Sequence, residues 1–426
     1  MSRRVPLSRE DTDVRIDGFT HGGEGVARIE GKAVFVPGTI PGETVRVRVT
    51  DDRKNWARAE LVEVLEPSAD RVTPPCPYVP DCGGCDLQHV APDAQRQLKT
   101  RVVREQLERL GRLTDPPVEP CRAVGPDLGY RNHARLHAAP DGRLGFHHAG
   151  STDVVPVERC LILASSPQAV RDQVGDGTGA VEVTVRGHPA ADRHVAVLTP
   201  GPAALHSPDG DFDLLLRQPD GSTIALRGDG VLAEDVAGHR FRFPADGFFQ
   251  VNSAGAGAIV EAVLDACGEV GGLLVWDLYA GVGLLSLPLA AAGADVTAVE
   301  GHAGSCEWAQ TNAADAGLSL HVVHEPVEAF TRRIRTGAPA DETPGPEFDP
   351  PDVVVLDPPR VGAGEDVCRD LAALRPGQIV YVSCDPAALA RDARTLDGLG
   401  YRLRRAVPLD LFPQTHHVEV VALFSR

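Results

Sequence analysis

Apolar and polar residues alternate with a period of two over residues 33–36, 44–49 and 60–65, and turns fall at Gly22 and Gly23, Pro37 and Gly38, and Pro41 and Gly42. That spacing predicts a small antiparallel β-barrel over residues 1–66. Small barrels of the oligonucleotide-binding type bind single strands, although a purely structural barrel shows the same alternation. The period then changes. Leu98, Val102, Leu107 and Leu110 fall near one face of a helix predicted over 93–110, with Asp93 as its N-cap and Gly111 as its stop. Residues 124–247 hold strand-like runs at 134–138, 181–185 and 194–198 and no convincing helix, so a mostly β middle domain is expected. Its acidic stretch 209–235 is expected to face solvent. From Asn252 onward, helical segments alternate with short apolar strands, the pattern of a parallel α/β sheet. Residues 338–351 read as a Pro-rich acidic surface insertion. The fold class is therefore multidomain, α/β plus β, with units at 1–66, 67–247 and 248–426; helix 93–110 is expected to be able to pack on the third.

Charge changes the picture only locally. The chain has 426 residues, with 42 Lys and Arg against 60 Asp and Glu, for a net charge of −18. Bulk acidity argues against coating nucleic acid through overall charge. The first 66 residues, however, carry 11 basic and 12 acidic side chains, and residues 96–112 carry six basic and two acidic ones. For that helix, a solvated charged face and contact with an anionic polymer are both open. The N-terminus lacks the apolar segment of a secretory signal, and the apolar stretch 273–299 is broken by Asp277, Pro288, Asp295 and three glycines, so no membrane association is expected. Nine cysteines in a chain without a signal predict a reducing cytoplasm and clustered metal ligands rather than disulfides.

Three segments carry chemistry in the third unit. Residues 276–283 (WDLYAGVG) give an apolar strand, a tight glycine turn containing Gly281, and a following helix, which brings backbone amides close to a nucleoside. The third glycine of a dinucleotide fingerprint is missing, which disfavours NAD. Glu300, at the end of the next strand, can accept hydrogen bonds from ribose hydroxyls, and together these favour S-adenosylmethionine. An apolar strand at 353–356 ends in Asp357, Pro358, Pro359 and Arg360, which is either a ligand-facing edge or a rigid turn. The strand at 378–382 delivers Ser383, Cys384 and Asp385 to the same edge, where Cys384 is either a small buried residue or a nucleophile. Its position ahead of a helix beginning near Pro386 predicts exposure and a lowered thiol pKa. Glu419 opens the last strand as a candidate base. His416 and His417 point to opposite faces of a strand, which argues against zinc there.

Cys76, Cys82 and Cys85 supply three thiolates within ten residues, and Gly83 and Gly84 permit the tight wrap. A fourth ligand must come from Cys121 or Cys160. A three-plus-one arrangement suits an iron–sulfur cluster better than zinc.

Together these motifs resemble the RNA (uracil-5-)-methyltransferase family, whose members form 5-methyluridine in transfer or ribosomal RNA, and the resemblance covers essentially the whole chain. It implies a TRAM RNA-binding barrel at 1–66, a central β-rich domain with a 4Fe-4S cluster at 67–247, and a Rossmann-like methyltransferase domain at 248–426. It assigns Cys76, Cys82, Cys85 and, in preference to Cys121, Cys160 to the cluster. It assigns Gln250, Tyr279, Gly281, Glu300 and Asp357 to S-adenosylmethionine, Cys384 as nucleophile and Glu419 as base. Ala280 and Asp385 depart from the cysteine and asparagine common in the family, at positions that need not react. The implied partner is RNA, either 23S rRNA or tRNA, with no obligate protein partner evident. A rival reading is a cluster-bearing RNA-binding or redox-sensing protein whose transferase domain is inert.

Overall fold

The computed structural model describes residues 7, 8, 10–187, 193–337 and 348–426; most of the expected insertion at 338–351 lies outside them. Six strands, β1 (Thr12–Arg15), β2 (Gly18–Phe19), β3 (Gly25–Ile29), β4 (Lys32–Val36), β5 (Thr44–Asp52) and β6 (Trp56–Glu66), form one sheet in the order β1-β5-β6-β4-β3-β2. Its alternate residues, among them Ile16, Val34, Val45, Val47 and Ala57, turn inward to form one core, as period-two patterning requires.

Helix α1 (Pro92–Arg109) follows the cysteine segment. Its N-cap is Ala91 and Pro92 opens the first turn, so Asp93 sits inside the helix instead of capping it. Arg96 and Lys99 turn inward, while Arg101, Arg104, Arg109 and Arg112 remain exposed.

The middle unit is a seven-stranded sheet, β8 (His133–Ala138), β9 (Leu144–His147), β10 (Val154–Pro156), β11 (Ala180–Arg186), β12 (Val195–Pro200), β13 (Asp213–Arg217) and β14 (Thr223–Arg227), in the order β10-β9-β8-β11-β12-β13-β14; the two-residue β7 (Arg122–Ala123) precedes it and joins another sheet. The expectation that it has no helix is corrected by α2 (Ser165–Val174). Pro167 is compatible with a first turn, and Val170 and Val174, one turn apart, bury against the sheet. The segment is short and its Ser-Ser-Pro start imitates a loop. Nor does all of 209–235 face solvent: Leu214 and Leu215 of β13 are core residues and Glu234 is buried.

A hairpin of β15 (Val231–Val236) and β16 (His239–Pro244) packs with α3 (Ser253–Cys267) against the last sheet. That sheet contains β17 (Leu274–Leu278), β18 (Asp295–Glu300), β19 (His321–His324), β20 (Val353–Leu356), β21 (Gln378–Ser383), β22 (Arg402–Asp410) and β23 (Glu419–Ser425), in the order β19-β18-β17-β20-β21-β23-β22-β7. All its pairings are parallel except those of β23, which runs antiparallel between β21 and β22. Its strands read as continuous apolar runs because both faces are covered. On one side lie α3, α4 (Ser286–Ala291) and α5 (Ala303–Asp315); on the other lie α1, α6 (Val327–Thr336), α7 (Gly364–Leu374) and α8 (Pro386–Gly398). Among the described residues, no helix is long and apolar enough to cross a membrane.

Candidate active site

The carboxyl ends of β17, β18, β20 and β21 share one edge, where open α/β sheets bind ligands. At the end of β17, Tyr279 adopts a φ of +64°, Gly281 +55° and Gly283 +92°. The positive φ favours glycine at 283, where a Cβ would also meet the end of the Leu287 side chain at 2.8 Å. The turn aims the Gly281 amide at Glu300, donating to Oε2 at 2.9 Å, while the His302 amide donates to Oε1 at 2.7 Å. Glu300 is thereby oriented at the edge. The Tyr279 hydroxyl donates to Glu328 Oε1 at 3.0 Å. Gln250 is buried just before α3, whose N-cap Asn252 accepts from Gly255 N at 3.1 Å and donates to Leu411 O at 2.8 Å. Phe248, two residues before Gln250, is 76% exposed.

Cys384 follows β21 directly. Ser383 and Val420 are the last paired residues of β21 and β23. Antiparallel register continued by one residue sets Cys384 opposite Glu419, two elements from opposite directions meeting at one point. Asp385 caps α8 by accepting from Ala388 N at 2.7 Å. Asp357, after β20, completes the corner and donates its amide to Leu278 O at 3.3 Å.

The electrostatics of this corner correct the expectation of a lowered Cys384 thiol. Burial, followed by the charges of Glu419 and Asp357, pushes it up to about 11, with Arg360 acting in the opposite direction. The helix start behind it does not outweigh two carboxylates and desolvation. Burial also raises Asp357 and, helped by the Asp357 charge, raises Glu419 well above the usual carboxylate range. Arg360 lowers Glu419, a charge the sequence reading assigned no role. Asp277, buried within β17 with its carboxylate accepting from Ser286 Oγ, is likewise pushed up by burial to about 7.

Two further contacts were invisible in sequence. His21, in the barrel loop after β2, lies 3.2 Å from Asp385 Oδ2, and this contact leads the causes that lower Asp385 to about 2. His416 pairs through Nδ1 with Asp86, whose Oδ1 also accepts the His416 amide at 2.8 Å. The barrel and the cysteine segment thus reach this edge of the sheet from 364 and 330 residues away in sequence.

Elsewhere, Cys76, Cys82, Cys85 and Cys160 line one cavity of about 210 Å³, with Tyr78 and Arg131 among the other walls. Burial and the neighbouring thiols push Cys85 up to about 12 and raise Cys82 and Cys160. Cys121 lies apart, buried against the α/β sheet. Among the described residues, no three His, Cys, Asp or Glu side chains gather closely enough around one point to hold a single metal ion.

The model of a family described as tRNA (uracil-5-)-methyltransferase matches residues 214–426, and that of the TRAM domain matches residues 8–62. An RNA methyltransferase of Streptomyces coelicolor is 35% identical over 100% of this chain and 95% of its own. The chain belongs to the tRNA (uracil-5-)-methyltransferase family. A second relative, the 23S rRNA (uracil(1939)-C(5))-methyltransferase RlmD of Shewanella piezotolerans, is 34% identical over 95% of this chain and 93% of its own. The solved tRNA (uracil-54, C5)-methyltransferase of Pyrococcus abyssi, in complex with S-adenosyl-L-homocysteine, superposes with a TM-score of 0.74 over 97% of this chain and 100% of its own, at 23% identity. Membership and architecture agree with the sequence reading: an N-terminal TRAM domain precedes a C-terminal methyltransferase fold.

Proposed function

We propose that this methyltransferase transfers a methyl group from S-adenosylmethionine to carbon 5 of a uridine in RNA, with Cys384 as nucleophile and Glu419 as base. The observation that carries this reading is the meeting of Cys384 and Glu419 across β21 and β23, beside a turn fitted for a nucleoside cofactor. Gln250, Tyr279, Gly281, Glu300 and Asp357 would hold that cofactor, which supplies an electrophilic methyl group. The Glu300 carboxylate, already oriented by two amides, suits a ribose diol.

Carbon 5 of uracil is a weak nucleophile and must first gain electron density. Cys384 supplies it: its thiolate bonds to carbon 6, and the displaced π electrons form an enolate whose carbon 5 takes the methyl group as the S–CH3 bond breaks and S-adenosylhomocysteine leaves as a neutral thioether. Glu419 then accepts the carbon 5 proton, and the electrons of that C–H bond restore the ring double bond and expel the thiolate. Burial makes the Glu419 carboxylate a stronger proton acceptor than an exposed one. A stacked base cannot reach this corner, so the uridine would be flipped out or offered from a loop. The TRAM domain would hold the RNA, assisted by the exposed arginines of α1. Large-subunit ribosomal RNA is the first substrate to test, because the RlmD relative aligns over nearly the full chain.

Cys76, Cys82, Cys85 and Cys160 would hold a 4Fe-4S cluster. Their fit rests on four thiols surrounding one volume: zinc needs its ligands about 2.3 Å from a single point, whereas a cluster fills a cavity. Three of these thiols are raised by burial and by each other, and a cationic cluster would relieve that repulsion. No step of methyl transfer requires an electron from it.

The direct test is to incubate the protein with methyl-labelled S-adenosylmethionine and unmodified ribosomal or transfer RNA, then digest the RNA to nucleosides. Label in 5-methyluridine is expected. Label in any other nucleoside, or none in RNA despite cofactor binding, contradicts the reading.

A further inference from the structure

The segment between β22 and β23 leads directly into Glu419, and α1 and the cysteine segment hold it at Phe412, Gln414 and His416. Gln95 of α1 is fully buried. Its Nε2 donates to Gln414 Oε1 at 3.0 Å and to the carbonyls of Leu87 and Val90 at 3.0 and 2.9 Å, while its Oε1 accepts the Gln414 amide at 2.8 Å. The Gln414 carbonyl in turn accepts the amides of Asp86 and Leu87 at 3.1 and 3.0 Å, directly after Cys85. One turn further along α1, Lys99 pairs with Asp410 and donates to Phe412 O at 3.0 Å.

Gln414 is also strained, because it adopts a φ of +70° while buried. A non-glycine residue keeps such a conformation only when its surroundings over-determine it, and such residues cluster at active sites. Here the surroundings are the reciprocal amide pair with Gln95. A loop tied this tightly five residues before a catalytic carboxylate fixes where that carboxylate begins its strand.

We propose that Gln95 and Gln414 are positioning residues for Glu419: their amide clasp fixes the loop that aims this carboxylate at the carbon 5 proton, and through Asp86 and Leu87 it makes the cysteine segment part of the same mount. The inference rests on Glu419 acting as the base. It assigns the inner face of α1 to turnover, separately from any RNA contact made by its outer face.

A misplaced base slows proton removal but leaves addition of Cys384 and methyl transfer possible. The Gln95→Leu variant should therefore lose turnover by on the order of 10- to 100-fold, with the KM for RNA little changed. It should also accumulate a denaturation-resistant protein–RNA adduct carrying the transferred methyl. A general loss of structure would lower turnover without this adduct. Gln414→Asn, which tolerates a positive φ better but cannot reach Gln95 in the same way, provides the same readout if Gln95→Leu folds poorly, with circular dichroism and S-adenosylmethionine binding reporting the fold. Glu419→Gln is the control. If Glu419→Gln accumulates the methylated adduct and the folded clasp variants do not, the inference is overturned. If Glu419→Gln accumulates none, the assignment of the base fails, and the inference with it.

Discussion

Two groups of cysteines in this protein share one physical circumstance and differ in their company. Cys384 and the thiols of Cys82, Cys85 and Cys160 are all pushed above their ordinary range, with burial the largest cause in each case. Around Cys384 the next causes are Glu419 and Asp357, at or just past strand ends, and Arg360 in the turn after β20. Around the cavity the recurring neighbours are other cysteines. A thiol beside a proton acceptor and an arginine can be ionised for a reaction and then released. Thiols facing each other gain only by sharing a cation. Burial therefore does not separate a nucleophile from a ligand; the titratable neighbours do.

The comparison breaks most sharply at the nucleophile. Cys384→Ala should abolish methyl transfer, by on the order of 10⁴-fold or more, while filter binding of RNA persists. No single cavity cysteine should have that effect on chemistry. Glu419→Gln should slow turnover by about 10²- to 10⁴-fold, with the loss appearing after methyl transfer, so that burst-phase methylation of RNA survives. At the other site, Cys160→Ser should lower the iron content of anaerobically purified protein and its unfolding temperature, because metal binding to such a site adds to folding free energy; unchanged iron and melting would count against the four-cysteine assignment.

Acidity offers a finer test. Cys384 and Glu419 both act without their protons, and both are raised, so kcat/KM should climb with pH through the range above ordinary carboxylate values, where an unperturbed carboxylate would already be flat. Removing a negative neighbour lowers a thiol pKa, so Asp357→Asn should speed alkylation of Cys384 by iodoacetamide at pH 8 several-fold and leave the cavity thiols unaffected. The smallest effect belongs to His21→Ala. Loss of this half-exposed contact with Asp385 should reduce methyl transfer a few-fold, measured at saturating RNA.

The strand ends and turns along this edge of the α/β sheet were legible in sequence because local rules determine them. A glycine turn after an apolar strand, an acid closing the next strand and Asp-Pro-Pro-Arg closing another all depend on neighbours a few residues away. What it could not carry depends on distant residues meeting. The basic residues of α1 looked like one charged face, yet Lys99 is buried against Asp410, more than three hundred residues on. Gln95 and Gln414 look like ordinary polar residues, and only the fold pairs them. His21 looks like a turn residue until the barrel lies against α8. The Cys384 thiol was misjudged for a related reason: its position before a helix is local, but the two carboxylates that raise it come from β23 and the end of β20. The short helix α2 was lost to its Ser-Ser-Pro opening.

The central claim is that one covalent cycle joins Cys384 and Glu419. Mass spectrometry of the protein–RNA adduct formed by Glu419→Gln with substrate RNA and S-adenosylmethionine tests it most directly. The account predicts a nucleotide bonded to the Cys384 peptide and bearing the transferred methyl group. An adduct on any other residue, or full methylation by Cys384→Ala under the same conditions, would contradict it.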